Sequence, residues 1–203
     1  MKAASEIPER AKTVVVFGDS ITEGADLPTE QQDRVWVQEV ERLSHGKLRM
    51  INEGKGGRPT DSLEEFTSAL SRHEQMDLLV LALGANDARD ISGKCVPNAL
   101  DNLRSMISLT RQTCGGDLSI LLVGPTNIHK DALGPTRNIA EEREQNLVDL
   151  NAAYPSLAAE LGCSFVSLYG TVAPHSLTMD GVHPDSEGHA AIAAVMLPAI
   201  LAA

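Results

Sequence analysis

The sequence predicts an α/β protein in which a parallel sheet lies between two layers of helices. Short apolar runs at 13–17, 48–52, 77–83, 118–123 and 164–168 recur between longer segments that have helical spacing. This alternation is typical of parallel sheets joined by crossover helices. At 203 residues, without a repeat, linker or low-complexity tract, the chain is predicted to form one domain over residues 1–203.

Each apolar run is predicted as a strand, and the segments between the runs place apolar residues on one helical face. Segments with such a face lie at 36–43, 63–70, 100–107, 147–161 and 190–201. Pro155 is expected to kink or restart the long fourth helix, because proline cannot donate the helical hydrogen bond. We therefore predict a three-layer α/β/α sandwich around a flavodoxin-like, five-stranded parallel sheet.

The composition excludes several classes of partner. A net charge of −11, a pI near 4.9 and only 3% aromatic residues disfavour nucleic acid, because phosphates would be repelled and few rings could stack on bases. No apolar run resembles a signal peptide or is long enough to cross a bilayer, so we expect a cytoplasmic protein without stable membrane association. The three cysteines are widely spaced and are expected to be reduced thiols. Nothing in the sequence bears on the oligomeric state.

Four short polar stretches lie at the ends of predicted strands. FGDS at 17–20, NEGKGG at 52–57 and GAND at 84–87 follow the first three strands, and DGVH at 180–183 follows the fifth. The carboxyl ends of parallel strands share one edge of the sheet, where such folds bind their ligands. The four stretches are therefore predicted to converge on one site.

Three of these residues have the chemistry of a nucleophilic triad. A serine hydroxyl needs a base to take its proton, and the base needs an acceptor that holds its tautomer. Ser20 is the candidate nucleophile and His183 the candidate base. Asp180, three residues before His183, can turn back within one loop and accept the Nδ1–H.

An acyl-transfer site also needs donors aimed at the developing oxyanion. The backbone N–H groups of Ser20 and Gly57 and the side-chain amide of Asn86 are the candidates. A glycine at 57 lets the backbone approach a substrate closely. Arg58, next to it, has two interpretations: a contact with the acyl or sugar group of the substrate, or a solvated loop cation.

Together the four blocks resemble the SGNH hydrolases, also called GDSL esterases and lipases, in order and across nearly the whole chain. The resemblance implies that Ser20 and His183 are catalytic and that Asp180 supports His183. It also implies that Ser20, Gly57 and Asn86 bind the oxyanion and that no cofactor is needed. Gly57 matches the donor position better than Gly56, which stands where the family often has a serine.

The expected function is hydrolysis of short-chain or acetyl esters of polar, carbohydrate-like alcohols through an acyl-enzyme on Ser20, with a small-molecule ester as the partner. The alternatives are a lysophospholipase or thioesterase for longer acyl chains and a non-catalytic binding module of the same fold. No metal is expected, although His183 and His189 have Asp180, Asp185 and Glu187 nearby. The glycine-rich stretches lack P-loop and dinucleotide-binding spacing, and the G-x-S-x-G elbow of α/β-hydrolases is absent.

Overall fold

The computed structural model describes residues 10–134 and 137–203 and contains the predicted five-stranded sheet. All strands pair in parallel in the order β2-β1-β3-β4-β5. Their bounds are β1 Lys12–Gly18, β2 Leu48–Gly54, β3 Leu78–Ala82, β4 Ser119–Gly124 and β5 Ser164–Ser167. The predicted strand class, number and direction are confirmed.

Helices connect the strands and cover both faces of the sheet. Their bounds are α1 Ser20–Glu23, α2 Trp36–Leu43, α3 Leu63–Arg72, α4 Cys95–Cys114, α5 Ala140–Glu160 and α6 Ser186–Ala202. The expectation that Pro155 restarts the fourth long helix is wrong, since α5 continues through it. Pro155 is exposed, so water can hydrate the Asn151 carbonyl that loses its helical partner.

Both faces of the three central strands β1, β3 and β4 are buried, and for this reason these strands read as continuous apolar runs. Side chains alternate along β1: Val14 and Val16 pack with α2 and α6, whereas Val15 and Phe17 pack with α3, α4 and α5. Trp36 and Met196 are buried in the first layer, and Leu103 and Leu150 are among the buried side chains of the second. The result is a three-layer α/β/α sandwich.

The strand order determines where a site can form. The chain leaves β1 for β2 on one side and then crosses back over β1 to β3 on the other, so a crevice opens at the carboxyl ends of β1 and β3. Ser20 and Asn86 follow these two strands, and Gly57 follows β2. Among the residues that the structure describes, no helix is long and apolar enough to cross a bilayer.

Candidate active site

Ser20 and His183, separated by 163 positions in the chain, meet at the carboxyl edge of the sheet. Ser20 begins α1 immediately after β1, and Asp19 caps this turn by accepting the Ile21 N–H at 3.0 Å. The Oγ of Ser20 lies 2.8 Å from His183 Nε2. On the other side of the ring, Nδ1 lies 2.5 Å from Oδ2 of Asp180. The geometry is that of a hydroxyl, an imidazole and a carboxylate joined in series.

The loop that carries Asp180 and His183 is held by its own hydrogen bonds. Oδ1 of Asp180 accepts the N–H groups of Val182 at 2.8 Å and His183 at 3.0 Å, and the Thr178 hydroxyl at 2.9 Å. Burial alone would raise the pKa of Asp180, but these hydrogen bonds and the one from the His183 ring outweigh it and lower the pKa to about 2. Asp180 is therefore ionised at neutral pH.

Gly181 lets this loop pack against its neighbour. Its φ of +71° lies in the left-handed region, and a Cβ there would come within 2.5 Å of the His129 carbonyl. The Gly181 carbonyl in turn accepts the His129 N–H at 2.8 Å. A larger residue at 181 would push the loop, and with it His183, away from Ser20.

A second carboxylate, which the sequence analysis missed, also faces the imidazole. Asp26 Oδ2 lies 3.2 Å from His183 Nδ1, and about half of the Asp26 side chain is exposed. Asp26 has a φ of +66°, an uncommon conformation for a residue other than glycine. The turn after α1 therefore places a further negative charge beside the ring.

The predicted oxyanion donors line the same pocket. Asn86 Nδ2 donates to the Arg58 carbonyl at 3.1 Å, which fixes the amide and leaves its second N–H for another acceptor. Gly57 has a φ of +72°, and no atom lies within 4 Å of where a Cβ would stand, so its backbone borders open space. Within residues 10–134 and 137–203, neither the Ser20 N–H nor the Gly57 N–H donates to a protein acceptor.

Arg58 requires a correction. Its side chain is only 7% exposed, and the guanidinium lies 4.0 Å from the centroid of the Phe17 ring. It donates to the Gly18 carbonyl at 2.7 Å, to the Glu53 carbonyl, and through Nε to Glu65 at 3.0 Å. The side chain thus holds the carboxyl ends of β1 and β2 together by hydrogen bonds. It is neither the substrate contact nor the solvated cation that the sequence suggested.

The pocket around Ser20 is lined by residues from every predicted block and by others that the sequence analysis did not single out. The predicted members are Ser20, Gly57, Asn86, Asp180 and His183. The additional ones are Ala25, Gly56, Ala85, Arg89, Gly134, Arg143 and Val182. Arg143 could have been found, because it lies four residues before Leu147 on the buried face of α5, where a cation is unexpected.

Comparison with known proteins agrees with this geometry. The model of the GDSL-like lipase/acylhydrolase family matches residues 16–191, which include all four polar stretches. The chain belongs to this family. It is accordingly a carboxylic ester hydrolase. No protein with a curated description matches the chain.

Solved structures of GDSL-like proteins share the fold. A carbohydrate acetylesterase family member from Sinorhizobium meliloti is 26% identical, with 93% of this chain and 97% of that chain covered and a TM-score of 0.77. The native aryl esterase of M. smegmatis is 22% identical over 95% of this chain and 99% of that chain, also with a TM-score of 0.77. The second likeness is one of fold alone.

Asp19 of this GDSL-like hydrolase carries a buried carboxyl group. Burial raises its pKa to about 6 from the ordinary value of 3.8, against the opposing hydrogen bond from the Ile21 N–H. A raised pKa means that folding favours the protonated form. This contribution to stability is complete below about pH 4 and is lost as the pH rises through 6.

Replacing Asp19 with Asn is therefore expected to stabilise the GDSL-like hydrolase at high pH. The amide oxygen can still cap α1, while no buried charge forms. We expect the free energy of unfolding at pH 8 to rise by up to about 3 kcal/mol and the gain to vanish near pH 4. Urea unfolding at both pH values measures it. An equal gain at both would show that charge is not the cause.

The histidines and carboxylates that were considered for a metal site do not lie together as one set of ligands. Asp185 caps α6 by accepting the N–H groups of Glu187 and Gly188, and His189 is buried with Nδ1 accepting the Trp36 N–H at 3.3 Å. Ligand-type atoms of Asp26, Asp180 and His183 do lie within 4.8 Å of one another. Since Asp180 and His183 already pair, only the Asp26 carboxylate would be available to a cation.

Proposed function

We propose that this GDSL-like hydrolase cleaves short-chain or acetyl esters of polar, carbohydrate-like alcohols through an acyl-enzyme on Ser20. The observation that carries the proposal is the 2.8 Å contact between Ser20 Oγ and His183 Nε2, continued by the 2.5 Å contact to Asp180. A neutral His183 that donates Nδ1–H to Asp180 has its Nε2 lone pair directed at the serine hydroxyl.

Acylation follows from these contacts. Oγ of Ser20 attacks the ester carbonyl carbon as its proton passes to His183 Nε2, and the carbonyl oxygen becomes an oxyanion. The N–H groups of Ser20 and Gly57 and the amide of Asn86 stabilise that charge. The imidazolium then gives its proton to the leaving alcohol, and the bond from carbon to the alcohol oxygen breaks. The acyl group remains on Ser20.

Deacylation repeats the sequence with water. His183 takes a proton from the water as its oxygen attacks the acyl carbon, and then returns the proton to Ser20 Oγ as the carboxylic acid leaves. Asp180, whose pKa is lowered to about 2, stays ionised and stabilises the imidazolium at each step.

The character of the pocket supports a short, polar substrate. Its walls near Ser20 include the backbone of Gly56 and Gly57, the Asn86 amide and two guanidinium groups. A small cavity at the ends of β1, β3 and β4 measures about 20 Å³, which holds about one water rather than an acyl tail. The carbohydrate acetylesterase family member, at 26% identity, also supports this substrate class.

A series of 4-nitrophenyl esters from acetate to decanoate tests the proposal. We expect kcat/KM to be highest for acetate or propionate and at least about tenfold lower for octanoate, a difference of ~1.4 kcal/mol. Rising activity with chain length would favour a lysophospholipase or thioesterase. Absence of turnover together with absence of labelling by a fluorophosphonate probe would favour a non-catalytic binding module.

A further inference from the structure

Two arginines from different elements lie in the pocket that holds Ser20. Arg89 ends the 3-10 turn Asp87–Arg89 that follows β3, and its side chain is exposed. Arg143 lies in the first turn of α5 and is only 5% exposed. Both belong to the lining of one pocket, although 54 positions separate them in the chain.

An amide from α5, the helix that carries Arg143, holds the backbone of the turn that carries Arg89. Asn146, three residues after Arg143 on α5, donates to the carbonyls of Ala88 at 3.1 Å and Asp90 at 2.9 Å. These carbonyls flank Arg89, so the turn that carries Arg89 is fixed against α5. The backbone that carries Arg89 is therefore fixed before a ligand binds, and Arg143 lies on a helix.

Neither arginine forms a salt bridge with a residue of 10–134 or 137–203. Most other arginines of this part of the chain pair with a carboxylate: Arg10, Arg42, Arg58, Arg72, Arg104 and Arg137. Nε of Arg143 is in addition buried without any hydrogen-bond partner. Burying a guanidinium without partners is unfavourable unless a ligand supplies them.

Charges of both signs act on Arg143. Burial lowers the pKa of Arg143 and the like charge of Arg89 lowers it further, against the opposing carboxylates of Asp180 and Asp19. Asp180 forms no salt bridge with either arginine, and its oxygens accept four hydrogen bonds from Thr178, Val182 and His183. Two guanidinium groups thus lie beside Ser20 in a chain whose net charge is −11.

We propose that Arg89 and Arg143 form an anion subsite, and that the ester substrate carries a carboxylate, sulfate or phosphate group on its acyl or its alcohol side. The inference rests on the proposed function and narrows its substrate class. A guanidinium presents a planar set of donors that matches such anions. A neutral ester leaves the buried Arg143 without partners and is therefore discriminated against.

Matched pairs of anionic and neutral esters show whether the anionic group belongs to the acyl side or the alcohol side of the substrate. For the acyl side, the 4-nitrophenyl half-ester of succinic acid is compared with its neutral methyl ester. For the alcohol side, 4-acetoxybenzoate is compared with 4-acetoxybenzamide. We expect the anionic member of at least one pair to have a kcat/KM about 10- to 100-fold higher, as for a charge-assisted hydrogen bond. Equal or higher values for the neutral member in both pairs would overturn the proposal.

Variants assign the preference to these side chains. Arg143→Gln and the exposed Arg89→Gln are each expected to reduce the anionic-to-neutral ratio of kcat/KM about tenfold or more, whereas Arg143→Lys retains part of it. Arg49→Gln removes an exposed arginine outside the pocket and serves as the matched control with an unchanged ratio. A ratio that survives in both glutamine variants would contradict the assignment.

A binding measurement separates this proposal from the proposed function. Calorimetric titration of Ser20→Ala with succinate and with 4-hydroxybenzoate requires no turnover. At least one acid is expected to bind, and Arg143→Gln in the same background should weaken it about 10-fold. Hydrolysis of neutral esters without any anion preference would leave the esterase proposal standing and remove the subsite. Absence of binding by both acids would remove the subsite as well.

Discussion

Replacing Ser20 with Ala is expected to lower kcat on the best ester about 10⁶-fold. The methyl group cannot attack the carbonyl, and His183 Nε2 loses the hydroxyl that now lies 2.8 Å away. The change leaves the cap of α1 intact, because Asp19 and the Ile21 N–H provide it. Steady-state rates, combined with covalent labelling by a fluorophosphonate, measure the effect.

Ser105→Ala is the matched control for this loss. Ser105 lies exposed on α4 and its hydroxyl bonds only the carbonyl of Asp101 one turn earlier, so the variant should retain full activity and full labelling. Circular dichroism and urea midpoints should agree for both variants and the native protein. Ester turnover by Ser20→Ala at more than a tenth of the native rate would exclude an acyl-enzyme on this serine.

Replacing Asn86 with Ala is expected to lower kcat about 10²- to 10³-fold with little change in KM. In the proposed mechanism its free N–H binds charge that exists only in the transition state, so its loss should affect turnover more than binding. The Arg58 carbonyl loses its 3.1 Å donor as well. Steady-state kcat and KM on short acyl esters separate the effect on turnover from the effect on binding.

Asn98→Ala, an exposed asparagine on α4, controls for the loss of an amide elsewhere and should keep native kinetics. If Asn86→Ala raised KM and left kcat unchanged, the amide would be a ground-state contact. The oxyanion would then be stabilised by the backbone donors of Ser20 and Gly57 alone.

The fold was predictable because its signals are local and repeated. Strands buried on both faces produce runs such as 13–17 and 118–123, and α2 and α4 keep their apolar residues on one side. Pro155 was misjudged for a reason of context. Tertiary packing of Leu150, Tyr154 and Leu157 on one face of α5 holds the helix together across the proline.

The site was predictable only where residue type and strand position point to the same chemistry. Ser20, Asn86 and His183 follow strands and have few other uses there, so their approach to one another could be inferred. Arg58 and Asp26 could not be assigned. A charged residue in a polar loop has the same sequence pattern whether it is solvated, buried under a strand end or turned toward an imidazole.

Arg143 shows what sequence periodicity could still have revealed. It occupies the same helical face as Leu147, Leu150 and Tyr154, so the pattern places a cation where the core begins. Read as an exception to the pattern, such a residue points to a polar cleft at the end of that face. Arg89 comes from a turn in another part of the chain, so only the structure shows that it lies in the same pocket as Arg143.

The buried position of Arg58 has a mechanical consequence for the neighbouring loop. Its side chain ties the ends of two strands together, and its own carbonyl receives the Asn86 amide next to Gly57. The segment after β1, which carries Ser20, and the turn after β3, which carries Asn86, are therefore coupled through Arg58. A shorter side chain at 58 would loosen both segments at once, although the guanidinium lies outside the pocket lining.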